Sequence, residues 1–276
     1  MTDNSEQIKY WNGQAGDTWV RGQERLDNML QPLSDILLSA AAATAGERVI
    51  DVGCGCGATS LALAATGAQV WGVDISAPML ERARTRAHGM DNLVFSEADA
   101  ATAELTPDHQ LVFSRFGVMF FADPLAAFKN LHSGLSADGR MVFMCWQAAQ
   151  VNPWITIAGR AIQPFLPPTE PVDPRAPGPF AFADKDYLAG LLAGAGFINV
   201  EIDPVSASLH VGDDLDAAMH SQGEVGPVAR ALSELSGETK EAALQAVREA
   251  FLPLITDSGL DLEGATWLVS ARASQF

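Results

Sequence analysis

The sequence of 276 residues predicts a three-layer α/β fold, in which a mostly parallel sheet is covered by helices on both faces. Three observations predict it. Short apolar runs alternate with helical patterns across residues 47–147, the first of those runs empties into a glycine-rich turn, and acidic residues close the next two. Successive parallel strands need a crossover, and the helix that makes the crossover also covers a face of the sheet.

The elements follow in order. Residues 5–45 read as helix, with Leu26, Met29, Leu30, Leu33, Ile36 and Leu37 at helical spacing, so residues 1–45 form an N-terminal helical cap. Strands are expected at Arg48–Val52, Gln69–Val73, Leu93–Glu97, Gln110–Ser114 and Arg140–Trp146. Helices are expected between them at Thr59–Ala65, Ala77–His88 and Pro124–Leu135. Residues 148–183 break the pattern. Seven of the chain's 15 prolines lie between Pro164 and Pro179, which predicts an irregular surface loop or a lid. A helix at Asp184–Gly194, with Gly196 near its end, and a strand at Ile198–Ile202 resume the alternation. Residues 212–262 read as a mostly helical insertion before a last strand at Ala265–Ala271. No internal repeat divides the chain, and residues 1–276 read as a single domain.

Composition narrows the function classes. The chain carries 17 basic and 34 acidic side chains, a net charge of −17, so a phosphate polymer meets an unfavourable average field and no nucleic-acid partner is expected. Three cysteines, Cys54, Cys56 and Cys145, are too few for a disulfide framework and fit a reducing compartment. Residues 1–10 lack the order of a signal peptide, and no apolar stretch is long enough to span a membrane; the cytoplasm is the expected location. Cys54-x-Cys56 stands alone in a glycine turn, short of four zinc ligands, and no metal site is expected.

The sharpest motif is Val49-Ile50-Asp51-Val52-Gly53-Cys54-Gly55-Cys56-Gly57-Ala58-Thr59. Three glycines in five residues exceed what a tight strand–helix turn requires, and they let a ligand approach the backbone beside the free N–H groups of a helix start. The reading is a nucleotide-type cofactor loop. Asp74 ends the next apolar run, 21 positions after Gly53, where a carboxylate accepts from both ribose hydroxyls or caps the following helix. Asp99, after the third run and before Ala100, is an acceptor for an adenine amino group or a loop aspartate. Gly53-x-Gly55-x-x-Ala58 also fits a dinucleotide fingerprint. Asp51, two positions before Gly53, tips the balance, because carboxylates at the loop favour a ligand with an ammonium and a sulfonium over a pyrophosphate.

On these residues the chain resembles the class I, Rossmann-like S-adenosylmethionine-dependent methyltransferases. Asp51-x-Gly53-x-Gly55-x-Gly57 is similar to that family's first motif, and Asp74 and Asp99 match its ribose and adenine positions. Ser114-Arg115-Phe116-Gly117-Val118-Met119-Phe120-Phe121 resembles its fourth strand and the loop beside the methionine moiety. Ala137-Asp138-Gly139-Arg140 keeps one glycine of the family's turn before the fifth strand, and Ala193-Gly194-Ala195-Gly196-Phe197 resembles the helix end before the sixth. The resemblance implies a seven-stranded sheet with an antiparallel last strand, S-adenosylmethionine as cofactor and S-adenosylhomocysteine as product. It implies a cofactor site built from Asp51, Gly53, Cys54, Gly55, Gly57, Thr59, Asp74, Ile75, Met79, Asp99, Ala100, Ser114, Arg115 and Phe116, with Trp11 and Trp19 of the cap over it. The small-molecule members, similar to ubiquinone and menaquinone methyltransferases, are the nearest in kind.

Methyl transfer needs alignment and exclusion of water more than a catalytic triad. Of five histidines, His88, His109 and His132 read as solvated, His210 sits in an apolar stretch without a functional reading, and His220 in the insertion is the candidate general base. Arg115 suits a carboxylate of the cofactor, an acidic substrate or a structural ion pair. Phe116, Phe120, Trp146 and Trp154 are candidates for an aromatic pocket or for core, with core the favoured reading for Phe120. The expected partner is a small-molecule methyl acceptor, with a homodimer through the inserted helices. The competing functions are an NAD-linked oxidoreductase and a non-catalytic S-adenosylmethionine-binding protein.

Overall fold

The structure, a computed structural model, describes residues 4–168, 173–224 and 226–274. Its strands are β1 (Arg48–Val52), β2 (Gln69–Asp74), β3 (Leu93–Glu97), β4 (His109–Arg115), β5 (Leu135–Trp146), β6 (Phe197–Gly212) and β7 (Leu260–Ala273). They form one seven-stranded sheet in the order β3-β2-β1-β4-β5-β7-β6. Neighbours from β3 to β5 pair in parallel, and β7 runs antiparallel to both β5 and β6. The order reverses at β1, so the crevice outside the carboxyl ends of β1 and β4 is the topological switch point, where open α/β sheets take their ligands.

The crossovers are α4 (Ala58–Ala65), α5 (Ala77–Arg86), α6 (Pro124–Ser133) and α8 (Lys185–Gly194). They cover both faces of the central strands, which is why Val49, Ile50, Leu111, Val112 and Phe113 are fully buried and why those strands read as unbroken apolar runs. Asp123 and Asp184 cap α6 and α8 through their side chains. Gly196 lies one residue past Ala195, the C-cap of α8, with φ +100°, in the role its sequence position suggests.

Three helices precede the sheet: α1 (Ser5–Trp11), α2 (Gln14–Arg21) and α3 (Gln23–Ala41). Leu26, Leu30, Leu33 and Leu37 form the buried stripe of α3 and dock it on the sheet. The segment 148–183 is more ordered than its prolines suggest. It holds a ten-residue helix, α7 (Pro153–Ile162), which begins with a proline at N1, where a missing N–H costs nothing, and ends before the cluster at Pro164. Residues 169–172 of the proline cluster lie outside the described residues. The insertion forms α9 (Leu215–Glu224), α10 (Pro227–Ser233) and α11 (Gly237–Phe251). With α7 they share a second apolar core of Ile155, Ala158, Ile162, Val228, Leu232, Val247 and Phe251, which rests on Val211, Leu260 and Leu262 of the paired strands β6 and β7.

The last two strands run well beyond Ile198–Ile202 and Ala265–Ala271, because their outer portions alternate exposed and buried positions instead of forming an apolar run. The expected turn at Ala137–Arg140 lies inside β5. His109 pairs with Leu135 and Leu111 with Arg140, so residues 136–139 bulge from the ladder. His109 is buried rather than solvated, with Nδ1 near the carbonyls of Thr106 and Gly134, and His132 is half-buried against Phe197. Among the described residues no helix is long and apolar enough to cross a membrane.

Two predictions follow from this packing. His210 bridges Asp261 and Asp213 at 2.9 Å on each ring nitrogen, and these partners, Asp261 first, raise its pKa above 6.5. A raised histidine pKa adds stability below the ordinary value and loses it as pH climbs through the folded value. His210→Gln is therefore expected to lower the melting temperature slightly at pH 5.5 and leave it unchanged at pH 9. Asn152 is fully buried between α7 and β7. Its Nδ2 donates to the carbonyls of Gln147, Ala148 and Ala265, and its Oδ1 accepts from Ala265 N and Trp154 Nε1. Asn152→Ala strands several buried partners and should cost about 2–4 kcal/mol in a denaturant titration.

Candidate active site

The glycine turn connects β1 to α4 at the switch point. Gly53 has φ +67° and Gly55 φ +54°, both left-handed, where a side chain strains the backbone. Space matters as much as φ at Gly53: a methyl group there would stand 2.6 Å from Cα of Gly117, in the loop after β4. At Gly55 the added atom meets only Met79 Sδ at 3.8 Å, so the outer side of the loop is open. The N–H groups of Gly53 and Cys54 both donate to Val73 O, which fastens the turn to β2. Cys54 and Cys56 are buried loop residues, and no group of three or more metal-ligating side chains occurs among the described residues.

Three carboxylates stand at the ends of adjacent strands. Asp51 is fully buried, and its Oδ2 accepts from Thr59 Oγ1 at 2.8 Å and Ser60 Oγ at 2.6 Å. Its Oδ1 is buried and has no partner. Burial pushes the carboxyl up to about 6, against the lowering effect of the two hydroxyls. Asp74 accepts from Gly55 N on Oδ2 and from Ser76 N on Oδ1, both at 2.8 Å, and burial raises its pKa too. The N-cap of α5 is Ser76, so Asp74 acts on the glycine loop rather than as that cap. Asp99 is half-buried, accepts from Ala101 N on Oδ1, and accepts from Asn4 Nδ2 on Oδ2 at 3.0 Å.

The N-terminal helices close over this row. Asn12 spans the loop after β2, donating to Ile75 O at 2.7 Å and accepting from Ala77 N at 2.9 Å, while Ser76 Oγ donates to Trp11 O. Trp11 meets Trp19 and Phe120 edge-on, with ring centroids 6.1 and 5.2 Å apart. Phe120 thereby belongs to the contact with this N-terminal lid, α1 to α3, as well as to the core.

The loop after β4 departs from expectation at two residues. Ser114 is buried and donates to Val52 O, and it accepts from Gly117 N, so it locks two loops together rather than lining the crevice. Arg115 is turned toward α3. Its Nη1 donates to Ser34 Oγ at 2.6 Å, and its Nη2 lies 3.9 Å from Asp27, which also pairs with Arg86 at 2.9 Å. Arg86 in turn donates to Cys56 O in the glycine loop. Of the readings open for Arg115, the ion pair is the one realised, because a buried guanidinium demands partners and the facing helix supplies them. Phe116 has φ +65°, rare for an aromatic residue. Its ring stacks on Trp146 at 4.3 Å and 5°, and Trp146 meets Trp154 at 4.8 Å. Asn152 holds the Trp154 indole, so a wall of three rings stands beyond the ends of β4 and β5.

His220 is exposed on α9, whereas its neighbours Ser221 and Gln222 turn inward to Arg25 of α3 and Trp154 O of α7. The sequence reasoning missed Asn4, Asn12, Asp27, Arg86 and Asn152. Their partners lie far along the chain, and no local motif marks them.

Residues 49–139 match the methyltransferase domain family. A demethylmenaquinone methyltransferase of Clavibacter sepedonicus is 31% identical over 179 residues, which cover 62% of this chain and 73% of that protein. The chain belongs to the class I S-adenosylmethionine-dependent methyltransferases. An uncharacterized protein of Mycobacterium tuberculosis is also 31% identical over 179 residues, and the match spans 63% of either chain. The crystal structure of the YcgJ protein of Bacillus subtilis shares the fold, with a TM-score of 0.58 at 17% identity, covering 88% of this chain and 98% of that one. The family match runs from β1 into β5, so the N-terminal helices before it and Trp146, Trp154 and the insertion after it lie outside it.

The strained Phe116 gives a test of the loop. Phe116→Ala loses the stack and keeps the strain, whereas Phe116→Gly loses the stack and relieves the strain. The glycine variant should therefore be the more stable of the two by about 1 kcal/mol in equilibrium unfolding.

Proposed function

We propose that the protein transfers the methyl group of S-adenosylmethionine to a small-molecule acceptor. The observation that carries this reading is a crevice rich in acceptors: Asp51, Asp74 and Asp99 follow one another across β1, β2 and β3, and Asp51 Oδ1 is buried without a donor. The arginines nearest the loop, Arg86 and Arg115, are engaged by Asp27. A pyrophosphate would meet carboxylates and few available cations, whereas a ligand bearing an ammonium, a sulfonium and hydroxyl donors meets its complements. That contrast favours a methyl donor over the nicotinamide dinucleotide of an oxidoreductase.

In this reading Asp51 faces the ammonium of the cofactor, Asp74 the ribose hydroxyls and Asp99 the adenine amino group. Gly53, Cys54, Gly55 and Gly57 cradle the chain of the ligand, Thr59 holds Asp51 in place, and Ile75, Met79 and Ala100 bound the nucleoside. Trp11 and Trp19 of the lid exclude water. The bound sulfonium supplies an electrophilic methyl carbon. The chain's part is to align the acceptor with it, and the Phe116–Trp146–Trp154 wall suits a planar acceptor laid against a ring face. A quinone-type acceptor, of the kind named for the Clavibacter relative, fits that wall. His220, exposed on α9, has no role as base in this reading. All three cysteines are unpaired, which supports a reducing compartment such as the cytoplasm.

Calorimetry tests the proposal. S-adenosylhomocysteine should bind and NAD should not, and Asp74→Ala should weaken binding at least tenfold. Binding of NAD, or of neither ligand, would sink it. Asp51 adds a pH dependence. Its folded pKa of about 6 exceeds the ordinary 3.8, so the free protein loses stability as pH rises between those values. The ammonium favours the ionised carboxylate, so affinity for S-adenosylhomocysteine should fall about tenfold per unit as pH drops below 6. Asp51→Asn should bind more weakly and without that slope.

A further inference from the structure

Among the described residues three buried side-chain atoms lack a hydrogen-bond partner: Asp51 Oδ1, Asn4 Oδ1 and Gln7 Oε1. All three are acceptors. A buried acceptor without a donor is costly, and where such atoms gather they mark the place of a donor-bearing ligand. Asn4 and Gln7 lie at the start of α1, three residues apart and so on one face. Asn4 occupies the N-cap position, yet its side chain makes no capping bond. It reaches instead across 95 residues of chain to Asp99.

That contact fixes the amide. Nδ2 faces the Asp99 carboxylate at 3.0 Å, and the flipped amide would set oxygen against oxygen. Oδ1 is therefore left as an acceptor beside Asp99, which itself keeps lone pairs to spare after receiving Ala101 N and Asn4 Nδ2. The two residues together offer neighbouring acceptors to a group that carries two hydrogens on one atom.

We propose that Asn4 is a specificity-determining residue for the nucleobase: the exocyclic amino group of adenine donates one hydrogen to Asp99 and the other to Asn4 Oδ1. This rests on the reading of S-adenosylmethionine as cofactor. The first helix of the lid thus reads the base, besides shielding it from water. Gln7 Oε1, one turn on, turns a further acceptor inward on the same face and makes that face suited to a ligand rich in donors. A base with a carbonyl in place of the amino group sets oxygen against these acceptors and is rejected.

The test compares S-adenosylhomocysteine with S-inosylhomocysteine, in which that amino group is replaced by oxygen, by calorimetry on the full chain. Wild-type protein should prefer the adenosyl ligand by tenfold or more. Asn4→Ala should weaken the adenosyl ligand about three- to tenfold and leave the inosyl ligand unweakened or somewhat tighter, so the preference shrinks. Asn12→Ala is the control for lid docking, since Asn12 fastens the lid to Ile75 and Ala77, and it should weaken both ligands by the same factor. If Asn4→Ala behaves like Asn12→Ala, or changes neither ligand, the inference is overturned and Asn4 only holds the lid. If wild-type protein binds neither ligand, the cofactor reading itself falls, and this inference with it.

Discussion

At the carboxyl end of the sheet two loops touch backbone to backbone, Gly53 after β1 against Gly117 after β4, with no room for a single methyl group between them. The rest of the site is registered on that contact. Val73 O holds two N–H groups of the first loop, Ser114 ties the second loop to Val52 O, and Arg86 holds Cys56 O from the far side. A ligand cradle made of backbone keeps its shape only if its donors and acceptors are already engaged, and here they are. The strain at Phe116, the residue before Gly117, follows from the same approach, and the stack on Trp146 helps to offset it.

Charge is distributed around this contact in an ordered way. The chain carries twice as many acidic as basic side chains. Near the crevice the arginines are committed sideways: Arg86 and Arg115 share Asp27 and attach α3 to the glycine loop and to β4. What remains facing inward is a row of carboxylates and amide oxygens. Burial raises Asp51 and Asp74 because their charge is poorly solvated, and a cationic, donor-rich ligand relieves that cost. The electrostatics of the site thus depend on where the cations are absent as much as on where the acids are.

The core strands, the glycine loop and its acidic followers were legible because each is local. A strand buried on both faces is an apolar run, a left-handed turn is a glycine, and Asp74 sits one crossover after the loop. The aromatic wall was half legible, since Trp146 and Trp154 read as candidates but their arrangement hangs on Asn152. Arg115 shows the limit. Its residue type fits three roles, and only the position of Asp27 and Ser34 on a helix some 80 residues earlier in the chain selects one. The proline-rich segment misled for a different reason: Pro153 at N1 starts a helix, and the next proline, Pro164, stands eleven residues on, just past its end.

By itself the sequence determined the layer architecture, the place of the glycine loop and the signs of the charges around it, because periodicity, φ > 0 and side-chain charge are properties of a residue and its near neighbours. The tertiary structure alone decided which groups are left without partners. Whether Asn4 caps a helix or reaches Asp99, and whether Arg115 turns to the crevice or to Asp27, depends on contacts between residues tens of positions apart. Hydrogen bonds and ion pairs act over a few ångströms in space, and distance along the chain does not limit them.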